Sequence, residues 1–221
     1  MTVKGTWGDE VAKRLDSMVA LRRDFHRHPE LSFQEKRTAQ IIAERLSAAK
    51  LEVKTGIAGT GVVGVLRGDK PGKTIAWRAD IDALPLTEIF DAPFASGTPG
   101  VMHACGHDGH TAMLLAAAQH LSRQRDFDGT VYLVFQPAEE GGGGAREMIK
   151  DGLFDKFPME AIFGAHNWPG LPVGTVAATE STFIFPKPGN ADNERISGMN
   201  SFLSMRYYGL VSSEKDQYEL T

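Results

Sequence analysis

The spacing of apolar residues predicts two amphipathic helices at the start of the chain. Between positions 9 and 28, apolar side chains recur every three or four residues, and Pro29 ends the pattern. The segment 32–49 continues with a similar period, and Ser32 followed three positions later by Glu35 is the signature of a capping box. We therefore predict helices over 9–28 and 32–49.

The pattern changes after the second helix, where short β-rich runs are separated by glycine or proline. These runs predict strands within 51–80, at Thr130 to Phe135, over 160–168 and at 173–179, and an Ala-rich apolar segment at 111–124 predicts a helix between them. Because strands alternate with helices and most strands are apolar throughout, we predict an α/β fold. Its central sheet should be mostly parallel and covered on both faces.

The end of the chain differs from the rest, because it shows no sustained helical or strand period. A short apolar patch around Met199 to Val211 is the exception. We therefore predict one domain over residues 1–180 and a divergent, poorly ordered tail over 181–221.

The composition is that of an ordinary globular protein, with 42% hydrophobic and 24% charged residues. The net charge of −4 argues against nucleic-acid binding as the main function. No apolar run is long enough to span a membrane, and the N-terminus lacks the apolar core of a signal peptide. One cysteine cannot form an internal disulfide. We therefore expect a cytoplasmic protein that contacts neither nucleic acid nor a membrane.

Residues able to bind metals or transfer protons gather in four loops. Three loops directly follow predicted strands: Arg78–Asp82 (RADID), Gln136–Glu140 (QPAEE) and Gly164–Asn167 (GAHN). The fourth, His103–His110 (HACGHDGH), opens the Ala-rich helix. Because ligands of open α/β sheets bind outside the carboxyl ends of the strands, we expect these loops to meet at one rim.

The residue types in these loops favour a metal site. Cys105 and His107 stand two positions apart in a tight loop, so both side chains can reach one ion. Thiolate, imidazole and carboxylate are the ligands of zinc and related ions. Glu139 and Glu140 are adjacent, so we expect one to bind the ion and the other to take a proton from water. The glycines at 141–144 permit a sharp turn beside the ions.

Each signal also has a less specific interpretation. A lone buried cysteine is more often a small core residue, and paired carboxylates at a strand end are often a solvated turn. A lone strand-end histidine such as His166 is more often simply hydrogen-bonded. A nucleophilic Cys105 is a further alternative, although it leaves Glu139, Glu140 and His166 without a function. Three other histidines fall on predicted helices, and we interpret them as surface or capping residues: His26, His28 and His120.

Five stretches resemble, in order, those of a family of metal-dependent amidohydrolases. This family includes hippurate hydrolases, N-acyl-amino-acid hydrolases and indoleacetyl-amino-acid hydrolases. The stretches are RRDFHRHPELSFQE, RADIDALPL, MHACGHDGHTAMLLAAA, VFQPAEEGGGGAREMIKDGLF and FGAHNWPGLPVGTVAATE. Together they run from about Leu21 to Glu180, and the set is far more specific than any single motif. The resemblance implies a three-layer α/β/α catalytic domain of the zinc-exopeptidase type.

The resemblance also implies roles for individual residues. Four of them would bind two divalent metal ions, zinc or manganese: Cys105, His107, Glu140 and His166. Glu139 would be the general base and then the acid that protonates the leaving amine, and Asp80 would support the site by holding a ligand. The implied reaction is hydrolysis of the amide bond of a small N-acyl amino acid, such as hippurate, by a metal-activated water.

The sequence departs from this family after residue 180. Family members are nearly twice as long, and they carry a lid domain that mediates dimerisation and a further histidine ligand near the C-terminus. Residues 181–221 do not resemble the lid, and no histidine follows His166. We therefore expect a truncated chain without the dimerisation domain. The alternative hypothesis is a catalytically incompetent remnant that at most binds metal.

Overall fold

The computed structural model describes residues 12–167, which form one sheet flanked by helices. The helices are α1 (Leu15–Arg27), α2 (Lys36–Ala48), α3 (His107–Leu121), α4 (Gly144–Lys150) and α5 (Leu153–Lys156). The strands are β1 (Glu52–Ile57), β2 (Gly61–Arg67), β3 (Lys70–Asp80), β4 (Asp128–Gln136) and β5 (Ala161–Gly164). No helix within this range has the length and apolarity needed to cross a membrane. The strand predicted at 173–179 and the tail predicted over 181–221 lie outside the described residues.

The strands are arranged in the order β1-β2-β4-β3-β5. Strand β3 is parallel to β4 and to β5, whereas β2 is antiparallel to both of its neighbours. The reversal of β2 follows from its connection, because only three residues, 58–60, join it to β1, and so short a link makes a hairpin. Four strands therefore run one way and one runs the other, which confirms the mostly parallel sheet.

Alternate side chains of the strands pack into two separate cores. Val62, Leu66 and Phe135 face α1, α2 and α3 on one side of the sheet. Val63 and Val134 face α4 and α5 on the other side. Burying each such side chain contributes about 1.5–3 kcal/mol, so both helical layers are held mainly by apolar packing. The three-layer α/β/α arrangement is thereby confirmed.

Helix α2 begins without the predicted capping box, so that prediction is wrong. The Ser32 hydroxyl donates to Asp82 Oδ2 at 2.8 Å instead of capping the helix, and the Glu35 side chain is fully buried. The Glu30 carboxylate accepts two backbone N–H groups in the first turn of α2, at 3.0 and 2.8 Å. Both side chains of the predicted capping box therefore form hydrogen bonds with residues distant in sequence instead of with α2.

Two of the three helical histidines are also placed differently from the prediction. His26 and His120 are buried, with 5% and 8% exposure, so their assignment to the surface is wrong. His28 is exposed at the C-terminus of α1, where its Nδ1 donates to the Asp24 carbonyl at 2.8 Å, in agreement with a capping role. The apolar periodicity of α1 did not reveal that His26 faces another helix.

The sheet brings the predicted loops to one edge. Strands β3, β4 and β5 are parallel, so their carboxyl ends, at Asp80, Gln136 and Gly164, lie on the same side. The register confirms this alignment, because Asp80 is opposite Gln136 and Arg78 is opposite Gly164. Helix α3 starts at the same edge. All four polar loops therefore meet at one rim, as the sequence predicts.

Candidate metal centre

A tight turn before α3 places Cys105 and His107 at the rim. Gly106 has φ of +85°, a conformation that L-residues adopt only at a cost. A Cβ atom at this position would also lie 2.5 Å from Asn167 Oδ1. Glycine therefore permits the chain to enter α3 while remaining in contact with the loop that follows β5.

His107 lies at the centre of the rim and is completely buried. Its Nδ1 lies 2.9 Å from the carbonyl oxygen of Asp82, which can only accept, so Nδ1 carries the proton. Its Nε2 lies 3.7 Å from Glu140 Oε1 and 3.6 Å from Asp80 Oδ2. Burial would lower the pKa of His107, but the charge of Asp80 and the hydrogen bond with Asp82 outweigh it and raise the pKa well above its usual value. A divalent ion at Nε2 would take the place of the proton held there.

The predicted site residues surround His107. Cys105 Sγ lies 3.5 Å from His166 Nε2. The ligand atoms fall into two groups, and within each group all of them lie within 4.8 Å of one another. The first group comprises Cys105, His107 and His166, and the second comprises His107, Glu139 and Glu140. We refer to these five residues as the ligand cluster. The structure therefore brings together every predicted ligand and the predicted base.

The donor atoms of the ligand cluster fit divalent ions such as zinc or manganese. They comprise one thiol, two imidazoles and two carboxylates, which are the ligand types that these ions prefer. The two groups share His107, so two adjacent ions could be held by residues from three loops. The chemistry of the residues present therefore agrees with the predicted dinuclear site.

A third group of mutually close ligand atoms belongs to Asp80, His107 and His110. Asp80 Oδ2 accepts from Arg78 Nη1 at 2.6 Å, and Asp80 Oδ1 lies 2.6 Å from His110 Nδ1. Burial would raise the pKa of Asp80, but the charge of Arg78, with His107 and His110, outweighs it and holds the pKa well below its usual range. Asp80 is thus a buried anion beside His107 Nε2, and its proposed role in supporting the site stays a prediction.

Asp82 is a site residue that the sequence analysis missed. Its Oδ1 lies 3.3 Å from His107 Nδ1, and its Oδ2 accepts from the backbone N–H of Glu140 at 2.9 Å. Hydrogen bonds and the positive charge of His107 outweigh burial and lower the pKa of Asp82. The sequence did indicate Asp82. Side chains two positions apart in an extended segment point to the same side, and Asp80 was already predicted to face the site.

His110 and Asn167 were also missed, and they connect α3 to the loop after β5. The backbone N–H of Asn167 donates to His110 Nε2 at 3.0 Å, while Nδ1 of the same ring faces Asp80. His110 thereby fixes the residue that directly follows His166. The cluster of histidines in 103–110 indicated His110, whereas nothing in the sequence distinguished Asn167 from an ordinary loop residue.

The loop after β4 turns back on itself to present Glu139 and Glu140. A Cβ atom at Gly144 would lie 1.7 Å from the carbonyl oxygen of Pro137, so only glycine allows the chain to return this closely. Burial raises the pKa of Glu139 to about 7, and the charges of Asp80 and Glu140 add to the effect. A carboxyl group with such a pKa can both accept and donate a proton near neutral pH.

His166 is held in its neutral form. Burial and the neighbouring His110 lower its pKa to about 4. A neutral imidazole is the form that binds metals, because the nitrogen electron pair is then available. The environment of His166 therefore favours coordination over protonation throughout the neutral pH range.

Comparison with known proteins is consistent with this geometry. A family model described as Peptidase family M20/M25/M40 matches residues 76–220. A hippurate hydrolase of Campylobacter jejuni is 52% identical over 149 residues, which cover 67% of this chain and 39% of the relative. An N-acetylcysteine deacetylase of Bacillus subtilis is 46% identical over 169 residues, which cover 76% of this chain and 44% of the relative.

A solved structure from Bacillus subtilis, described as a dinuclear metal binding peptidase from the M20 family, is similar in both sequence and fold. It is 46% identical, with a TM-score of 0.71 over 75% of this chain and 46% of the other. The chain thus spans less than half the length of each of these three proteins, between 39% and 46%.

Proposed function

Because the chain belongs to peptidase family M20/M25/M40, we propose that it carries the metal-binding centre of an amidohydrolase that cleaves small N-acyl amino acids. The observation that carries this proposal is the ligand cluster around His107, at the carboxyl edge of the sheet. Two similar proteins, the hippurate hydrolase and the N-acetylcysteine deacetylase, are named for cleaving an acyl group from an amino acid.

The ligand cluster divides into metal ligands and one proton-transfer group. In our proposal two divalent ions, zinc or manganese, are held by four residues: Cys105, His107, Glu140 and His166. When bound, such ions polarise the amide carbonyl and lower the pKa of water. Asp82 orients His107 through Nδ1, and Asp80 lies as a fixed anion beside Nε2.

Glu139 moves the proton in this proposal. Its carboxylate takes a proton from the attacking water and gives it to the nitrogen of the leaving amino acid. The pKa of about 7 that burial gives Glu139 falls when the site binds cations, which keeps the base ionised at neutral pH. We therefore expect kcat/KM to decline as the pH falls below about 7, with a midpoint at or below that value.

The contact between Cys105 and His166 would also fit a cysteine nucleophile with a histidine base. Sγ and Nε2 are 3.5 Å apart, which is within the reach of such a pair. This second candidate gives no function to Glu139 and Glu140, although both lie within 4.8 Å of His107. It also predicts that thiol alkylation abolishes activity while removal of metal does not.

The experiment that tests the proposal is an assay of the full chain on N-benzoyl-glycine. We expect turnover when Mn²⁺ or Zn²⁺ is supplied and loss of turnover with a chelator, restored by adding metal back. Activity that survives chelation but not alkylation would favour the cysteine nucleophile. Circular dichroism establishes in each case that the protein is folded.

The same assay addresses the alternative of a non-catalytic remnant. Metal binding without turnover, in a chain shown to be folded, would favour that alternative and would contradict the proposed activity of this chain. Elemental analysis of the purified protein measures metal content independently of turnover. About two ions per chain are expected if both ligand groups are filled.

A further inference from the structure

A fully buried carboxylate lies outside the ligand cluster and has no role in the proposed reaction. Glu35 directly precedes α2 and has 0% exposure. Its Oε2 accepts from the Thr60 hydroxyl at 2.6 Å, and its Oε1 accepts from the backbone N–H of Ala138 at 2.9 Å. Both partners are neutral, and burial raises the pKa of Glu35. A buried anion with such partners is costly, so its presence calls for a function.

The backbone around Glu35 is strained at three places. In the range 12–167, four residues other than glycine have positive φ, and three of them lie close to Glu35 or its partners. Phe33, with φ of +61°, is two positions before Glu35, and Ala58, with φ of +51°, is two positions before Thr60. Ala138 itself has φ of +51°. Such conformations persist only where surrounding contacts enforce them.

Ala138 is the residue on which the loop of Glu139 and Glu140 is anchored. Its carbonyl accepts from the backbone N–H of Gly144 at 2.9 Å, which closes the loop. Its N–H is the group that Glu35 holds. The peptide planes before and after Ala138 are therefore both fixed, and together they set the direction in which the chain enters Glu139.

We propose that Glu35 is a positioning residue that holds Glu139 and Glu140 in their working orientation through the N–H of Ala138. This inference rests on the proposed function, since that function gives the two glutamates their roles. Without the Glu35 carboxylate, Ala138 can relax from positive φ into the right-handed region that alanine prefers. The following peptide then rotates, and both carboxylates turn away from His107.

Glu30 provides a matched control for Glu35. It lies five positions earlier, and its carboxylate also accepts two hydrogen bonds, from the backbone N–H groups of Arg37 and Thr38. Both of those donors belong to α2, whereas one donor to Glu35 belongs to the loop after β4. Removing the Glu30 carboxylate therefore disturbs the start of α2, whereas removing the Glu35 carboxylate releases Ala138.

The first test compares kcat and KM on N-benzoyl-glycine in the full chain with metal supplied. We expect Glu35→Ala to lower kcat by about tenfold or more with KM changed less than about twofold, because the reacting groups are misplaced. Glu35→Gln should stay within about threefold of wild type, because its amide oxygen can accept from Ala138 and its NH₂ can donate to Thr60. Glu30→Ala should leave kcat unchanged. Equal kcat in Glu35→Ala and wild type overturns the proposal.

The second test does not depend on turnover. Hydrogen exchange of residues 138–143, followed by mass spectrometry, should accelerate more than about tenfold in Glu35→Ala but not in Glu30→Ala or Glu35→Gln. Unchanged exchange in Glu35→Ala overturns the proposal. If wild type shows no turnover, the proposed function fails while this measurement still decides the role of Glu35. If Glu35→Ala does not fold, Glu35→Asp replaces it, because its shorter side chain cannot span both partners.

Discussion

Two neighbouring residues at the start of α3 face opposite kinds of polar environment. His107 faces the ligand cluster. Asp108 faces what we call the Asp108 network, which comprises Arg22, His26, Glu88 and Asp108. In this network Asp108 Oδ2 lies 2.8 Å from His26 Nδ1 and 2.7 Å from Arg22 Nε, and the other nitrogen of His26 lies 3.1 Å from Glu88. Opposite charges therefore alternate along the network.

Glu139 and His166 of the ligand cluster differ in protonation state from His26 and Asp108 of the network. In the Asp108 network the hydrogen bond with Asp108 raises the pKa of His26, and contacts with His26 help to outweigh burial and lower the pKa of Asp108. In the ligand cluster, burial raises the pKa of Glu139 to about 7 and lowers that of His166 to about 4. The network favours charged forms and stabilises the fold, whereas these two members of the cluster are shifted toward neutral forms that suit proton transfer and metal binding.

The largest effect is expected for Glu139→Gln, which should lower the rate of catalysis without changing the stability of the fold. Loss of the base should lower kcat by about 10²- to 10⁴-fold, because general acid–base catalysis contributes a factor of that size. The metal content and the free energy of unfolding should remain those of wild type. Steady-state assays and urea unfolding measure the two properties, and equal kcat in variant and wild type would refute the role of Glu139.

The second-largest effect is expected for Asp108→Ala, which should lower the stability of the fold without changing the ligand cluster. Removal of one partner from a buried ion network should lower the free energy of unfolding by about 3 kcal/mol. Metal affinity should change little, since Asp108 faces away from the ligand cluster. Asp108→Asn, which keeps the shape but not the charge, serves as the control. A loss of metal affinity comparable to the loss of stability would show that the two regions are not separate.

The third effect is expected for His166→Ala, which removes a proposed ligand from a half-buried position. Metal affinity, measured by calorimetric titration, should fall by more than about tenfold, since even indirect disturbance of a ligand has such an effect. Stability without metal should change by less than about 0.5 kcal/mol. His28→Ala removes an exposed histidine that caps α1, so it should leave metal affinity unchanged. Wild-type metal affinity in His166→Ala would exclude it as a ligand.

The smallest effect concerns the pH dependence of stability, through His26. Because the folded-state pKa of His26 lies above the ordinary value of 6.5, the protonated form stabilises the fold. This contribution is complete below pH 6.5 and is lost as the pH rises through the folded-state pKa. Urea midpoints between pH 5 and 9 should therefore decline less steeply in His26→Gln than in wild type. Parallel curves would mean that His26 does not titrate differently on folding.

The ligand cluster could be predicted because each of its members carries unusual chemistry in a recognisable order. Cysteine and histidine at the start of a helix, paired glutamates after β4 and a histidine after β5 have few structural explanations in common. The parallel sheet guarantees that the strand ends meet. The role of Asp80 was implied only by the resemblance to the amidohydrolase family. The three-layer fold followed from apolar strands alternating with helices, which is a local pattern that needs no knowledge of distant contacts.

The Asp108 network could not be predicted, because its partners are far apart in sequence. His26 and Asp108 are separated by 82 positions, and on the sequence alone His26 resembles any polar residue near a helix terminus. For Glu35 the sequence led to a wrong prediction, because its spacing from Ser32 matches that of a capping box. Its actual partner is 103 positions away, and no local rule can weigh such a contact.

The bond between Glu35 and Ala138 also has a consequence for the order of folding. During synthesis at about 5–20 residues per second, Glu35 emerges roughly 5–20 s before Ala138 follows. Helix α2 can form in that interval, but the carboxylate remains hydrated until β4 inserts between β2 and β3 and supplies its last partner. The geometry of Glu139 and Glu140 is therefore reached only when the centre of the sheet is completed, so in a nascent chain the ligand cluster assembles late in folding.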